Sequence, residues 1–122
     1  MGVYVSYLSI PFANISNIPQ TVLTANTHTL FVNGIMVCNK GPTVMRFNLQ
    51  KVRTQISPIT INYINELEIP AYGVIDVIAA LGLQIFLQYS LIPAISDSLQ
   101  CFSNGSTQKF DCEISYTQLN ET

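Results

Sequence analysis

The eight residues Phe110-Asp111-Cys112-Glu113-Ile114-Ser115-Tyr116-Thr117 decide the fold class. Every even position is apolar or aromatic and every odd one polar, the two-residue period of a strand with one buried face rather than the 3.6-residue period of a helix. The same alternation recurs in Met45-Arg46-Phe47-Asn48-Leu49-Gln50, which puts Met45, Phe47 and Leu49 on an inner face and Arg46 and Gln50 outside. Further β-rich runs lie at 3–10, 29–38, 59–64, 66–69, 83–89 and 98–102, separated by Pro11, Pro19, Pro58, Pro70 and Pro93. About eight short strands at this spacing predict an all-β fold, an antiparallel β-sandwich of jelly-roll or Ig-like type. The chain divides into an N-terminal strand or arm for subunit contacts, residues 1–18, and a single sandwich domain, residues 19–122.

The turns add pairing expectations. Asn39-Lys40-Gly41-Pro42 ends one β-rich run with a Gly suited to positive φ and a Pro that cannot continue a ladder, so a hairpin is expected from about 29 to 53. Gly34, inside the first of those strands, marks a bulge or a close backbone approach. Asn104-Gly105 carries the signature of a type I′ turn, which predicts that 98–102 and 109–117 pair antiparallel. Asp97, between Ser96 and Ser98, reads as an Asx turn, and Asp111 as an outward-facing residue.

Residues 71–95 are nearly continuous in apolar side chains. A membrane helix of that length is opposed by Asp76, Gln84 and Gln88 within the run, since an Asp near the bilayer centre costs about 2.5–3.5 kcal/mol on insertion scales. A single amphipathic helix fits the spacing of Val74, Val77, Ile78, Leu81 and Ile85, but the β-branched content and Gly82 favour a strand, one short helix near 76–81, and a strand from Leu83.

Composition bounds function. Only twelve of the 122 residues are charged, five Lys or Arg and seven Asp or Glu, while 48% are hydrophobic. An ordinary domain of this length would carry roughly 30 charges. The expected accessible surface of roughly 6,500 Å² then has one charge per ~540 Å² where about one per 215 Å² is usual. Such a surface suits coverage by neighbouring subunits. The net charge of −2 and the scattered cations provide no footprint for nucleic acid.

No catalytic or metal-binding constellation is present in the sequence. The single His28 lies between two threonines, and Cys38, Cys101 and Cys112 lack C-x-x-C spacing, so no cofactor or metal is expected. Cys101 and Cys112 flank a hairpin-like turn and lie within geometric reach of a bridge, but an odd count without a secretion signal favours free thiols. Tyrosines 63, 72 and 89 leave one alternative function, a monomeric sandwich binding a glycan or another small ligand through its loops.

The order of the segments resembles the small β-sandwich virion proteins of tailed bacteriophages. The residues concerned are THTLFVNGIMVCNKGP followed by TVMRFNLQKV, then ELEIPAYGVIDVI, SDSLQCFSNG and FDCEISYTQLNE, together spanning most of 19–121. Ser96 stands where that family often has Gly, and the apolar run 74–95 is longer than usual there. The resemblance implies a non-enzymatic virion component, a capsid decoration or a neck or tail protein. It implies as partners further copies of the chain and other virion proteins such as the major capsid, portal or tail proteins. Val3 to Phe12 is apolar on both faces, unlike a half-exposed edge strand, so Val3, Tyr4, Val5, Tyr7, Leu8, Ile10 and Phe12 are the expected subunit-contact residues.

Overall fold

In the computed structural model the alternating segments become ten strands in two antiparallel sheets; the description covers residues 3–105 and 109–121, with side chains from Tyr7 to Leu119. Sheet A runs β1 (Val3–Ile15), β10 (Phe110–Glu121), β3 (Leu30–Asn39), then a last lane shared by β6 (Val74–Asp76) and β7 (Ile85–Leu87). Sheet B runs β2 (Gln20–Thr24), β9 (Ile95–Ser103), β4 (Met45–Thr54) and β5 (Ile59–Ile69), with β8 (Tyr89–Ser90) extending the β2 lane along β9. Apart from the β4–β5 and β8–β9 hairpins, the chain changes sheet from each lane to the next. That alternation is the wrapping of a jelly roll and not of an Ig fold.

Neither of the two expected hairpins forms. β3 and β4 lie in different sheets, as do β9 and β10, so both connections are corners of the sandwich. At the first corner the buried Asn39 side chain donates to the carbonyls of Thr43, Ile69 and Pro70 and accepts from the Gly41 N–H. These bonds tie the turn to the β5–β6 connection, and Gly41 does not take a positive φ. At the second corner the Asn104 N–H continues the ladder to the Arg46 carbonyl, while its side chain meets Asn48 and Glu66. Only Gly105 of the Asn-Gly pair is left-handed, with φ 85°; Ser106 lies outside the described residues.

The inner faces follow the sequence reading. Met45, Phe47, Leu49, Phe110 and Ile114 are completely buried, and the Phe47 and Phe110 rings meet edge to face at 5.4 Å between centroids. The bulge expected at Gly34 is present, since β10 pairs Ser115 with Gly34 but Tyr116 with Val32. The close approach is also there: a Cβ on Gly34 would stand 3.2 Å from Asp76 Oδ2. Asp76 accepts from the Ile35 N–H, and its carboxylate caps α1 (Val77–Leu81) through the N–H groups of Ile78 and Ala79. Gly82, at φ 62°, ends that helix. Residues 3–15 form β1, which is in register with β10 without interruption from Val3 to Phe12.

Candidate functional site

Two arrangements of charge distinguish regions of the molecule. The first lies inside the sandwich. Lys51 and Arg53 continue the inner face begun by Phe47 and Leu49, and Asp97 opposes Arg53 across the β4–β9 ladder. Asp97 has 0% exposure, so the expected Asx turn is instead a strand residue buried against two cations. Arg53 donates from Nε to Oδ1 at 2.8 Å and from Nη2 to Oδ2 at 3.0 Å; the Gln88 N–H adds 2.8 Å and Lys51 Nζ lies at 3.8 Å. Lys51 also reaches the Phe86 carbonyl on sheet A and sits over the Tyr63 ring. Burial works against the Asp97 charge, but the Arg53 hydrogen bonds, the Gln88 N–H and the two cationic charges outweigh it and hold its pKa below the usual carboxylate range.

The second arrangement is at the surface. One end of the sandwich is built from 16–19, 40–44, 70–73, 104–105 and 109, linked by bonds such as Ser103 N–H to Ser16 and Tyr72 N–H to Gly41. This end holds Lys40, Arg46, Glu66, Glu68, Lys109 and Asp111, with Lys40–Asp111 at 3.5 Å and Arg46–Glu68 at 3.8 Å. The opposite end is built from 25–29, 55–58 and 91–94, and none of these segments contains a charged residue. Ile56, Leu91 and Ile92 stand exposed there, and a groove of about 670 Å³ runs between Gln55-Ile56-Ser57 and Pro93-Ala94-Ile95. The chain has no charged side chain before Lys40, so β1, β2 and β3 are uncharged throughout.

The expected contact residues all lie on β1, an outer strand of sheet A. Tyr7 is 77% and Leu8 42% exposed, whereas Ile10 and Phe12 are half-buried and pack on the core. The latter two hold the strand to the sandwich. The side chains of Val3, Tyr4 and Val5 fall outside the described residues, although their backbone pairs with Glu121, Asn120 and Leu119.

The other candidate groups do not converge. His28 takes part in a hydrogen bond with Thr27 Oγ1 at 2.9 Å. Tyr63 lies under Lys51, Tyr72 is on the exposed β5–β6 turn, and Tyr89 lines a different cavity with His28 and Leu119. All three cysteines are free; Cys101 and Cys112 face each other from the two sheets. The hydrogen bond between those thiols, then burial, push the Cys101 pKa far above that of an exposed thiol. Among the described residues no group of three or more His, Cys, Asp or Glu could hold a metal ion, and no helix is long and apolar enough to cross a membrane.

No family model and no curated protein matches this sequence. Solved structures do match. A chain in the structure of infectious bursal disease virus, Gx strain, superposes with a TM-score of 0.55 at 13% identity, covering 96% of this chain and 32% of its own. The corresponding Gt strain chain gives 0.49 at 10% identity, over 97% and 32%. The present chain thus spans about a third of the length of those viral chains. At such identities the likeness concerns the fold, and it places this jelly roll beside one found in a virus structure.

Proposed function

We propose that this chain is a non-enzymatic structural protein of a virion that assembles with copies of itself and with other virion proteins, using no cofactor. The observation that carries this reading is where charge is absent. Lys51 and Asp97 are buried and Arg53 is half-buried beside them, which leaves nine other charges for 6880 Å² of surface, and β1 and the loops 25–29, 55–58 and 91–94 at one end have none. A surface so poor in charge is the kind that neighbours cover, and burying it contributes about 25 cal/mol per Å² of apolar area before association costs. The fold likeness to a chain of a virus structure supports the virion setting. Within that reading, a tailed-phage capsid, neck or tail position, with the major capsid, portal or tail proteins as partners, rests on the residue order alone. The contact residues are Val3, Tyr4, Val5, Tyr7 and Leu8, backed by Ile10 and Phe12.

Mass spectrometry of density-banded particles from the source culture tests the virion setting. The chain is expected at a fixed ratio to the main shell protein across the particle band. Recovery solely from the unassembled soluble fraction would contradict the reading.

A further inference from the structure

The four outer lanes of the two sheets are not alike. In sheet A, the lane opposite β1 is made of two three-residue strands with α1 between them. In sheet B, one outer lane consists of the five-residue β2 and the two-residue β8; the other, β5, has two register irregularities against β4, Glu66 in a left-handed conformation at φ 58°, and the charges of Glu66 and Glu68. Shortness, interruption, bulging and charge are the devices that keep a strand edge from pairing with another chain. β1 has none of them between Val3 and Ser9: that run is in continuous register with β10 and uncharged.

The direction of its free hydrogen-bonding groups can be derived. The Leu119 N–H of β10 goes to Thr29 on the β3 side, so the odd residues of β10 face β3 and the even ones face β1. Register pairs even residues of β1 with even residues of β10, for example Leu8 with Tyr116 and Ile10 with Ile114. The even residues of β1 are therefore bonded inward, and Val3, Val5, Tyr7, Ser9 and Pro11 present their backbone outward. Pro11 fits this independently, since it has no N–H and disturbs no ladder only where its position faces the open edge.

We infer that β1 pairs edge to edge with β1 of a second copy about a two-fold axis at Ser6, joining the two A sheets into one continuous sheet. This deepens, and rests on, the self-assembly part of the proposed function. Antiparallel pairing centred on Ser6 sets Val3 opposite Ser9 of the second copy and Val5 opposite Tyr7. All four are outward-facing positions, so each pair exchanges both backbone hydrogen bonds. No charge meets its own copy across the axis, and Pro11, which lacks a donor, bounds the paired run. A two-fold contact requires a self-complementary surface, and this run is self-complementary in register as well as in chemistry. The strand of an unrelated protein would gain nothing from that internal symmetry.

Disulfide trapping on the full chain, in a Cys38→Ser background, tests the register. Ser6 would face its own copy in a non-hydrogen-bonded pair with Cα atoms about 4.5 Å apart, within disulfide reach. Ser9 would lie about 20 Å from its own copy, six residues along the strand. Under mild oxidation at concentrations where light scattering detects association, Ser6→Cys is expected to trap most of the protein as a covalent dimer and Ser9→Cys less than a tenth of it. Tyr7→Lys, a change at an exposed side chain, is expected to raise the dissociation constant at least tenfold with an unaltered melting curve. Association without trapping at Ser6, or equal trapping at both positions, overturns the edge-to-edge pairing and leaves the virion reading standing. A chain that remains monomeric at millimolar concentration overturns it as well. Trapping at Ser6 in a protein absent from banded particles sustains the pairing while the virion reading fails.

Discussion

The interior of sheet B and the outer strand of sheet A treat charge in opposite ways. Between β4 and β9 the chain buries Asp97 and Lys51 with the half-buried Arg53 against them, whereas β1, thirteen residues long, carries no charge. In the first place every partner is supplied by the same chain: two guanidinium donors, a backbone N–H and an ammonium group all meet one carboxylate. A charge can be buried when its partners are fixed in advance. Between Tyr4 and Ile10 the residues opposite on β10, Asn120 to Ile114, are uncharged too, so a charge placed there and covered by a neighbour would be desolvated with no fixed partner beside it. On the proposed reading, the contrast separates surface that the protein keeps for itself from surface that it leaves for another copy.

The largest expected effect breaks the interior side of this contrast. Asp97→Ala leaves Arg53, Lys51 and the Gln88 N–H without their shared acceptor, and a loss of about 3–5 kcal/mol is expected, read as a shift in the midpoint of urea unfolding. A loss below about 1 kcal/mol would show that water already reaches the cluster. Asn39 does with neutral hydrogen bonds for the β3–β4 corner what Asp97 does with charge for the β4–β9 ladder. Asn39→Ala removes the donor to three carbonyls and should cost about 1–3 kcal/mol in the same measurement. At the edge the expectation reverses: Tyr7→Lys should leave the stability of the monomer within about 0.5 kcal/mol, while weakening self-association at least tenfold.

The smallest effect concerns pH. The folded pKa of Asp97 lies below its unfolded value of about 3.9, so the unfolded chain takes up a proton first as pH falls. The Asp97 contribution is then full above about pH 4 and is lost as pH drops through the folded value. Thermal melts should show no Asp97-dependent change between about pH 5 and 8, and a decline below about pH 4 that is absent from Asp97→Asn. A wild-type decline already complete at about pH 5 would contradict this assignment.

What the residues disclosed in advance was local. Two-residue alternation identified the buried faces of Met45-Phe47-Leu49 and Phe110-Cys112-Ile114, and the β-branched content with Gly82 located the short helix, because each depends on neighbours within a few positions. Sheet membership is not local. The turns at Asn39 and Asn104 have the chemistry of hairpins, but the Asn39 side chain also binds the Ile69 and Pro70 carbonyls, and the Asn104 side chain binds the Asn48 amide and the Glu66 carboxylate on β4 and β5, partners that only the folded chain brings near. Asp97 was misread for the same reason: flanking serines suggest a turn, while its partners lie 44 and 46 positions earlier. A signal was available in Lys51 and Arg53, which extend the inner face of Phe47 and Leu49 and therefore demand a buried counter-charge. The proposal of contacts on β1 starts from a two-faced apolar run visible in the sequence, but the outward direction of the odd backbone groups required the β10 register and the Leu119–Thr29 bond.

Amide hydrogen exchange along β1, followed by NMR from dilute to concentrated protein, tests most directly whether uncharged surface is surface awaiting a copy. In dilute solution the amides of Ser6, Leu8 and Ile10, bonded to β10, should be protected, and those of Val5, Tyr7 and Ser9 should exchange rapidly. On association the odd set should become protected as well, with the even set unchanged. If Val5, Tyr7 and Ser9 still exchange rapidly in the associated protein, the edge is not where copies meet and the account of the missing charge on β1 is wrong.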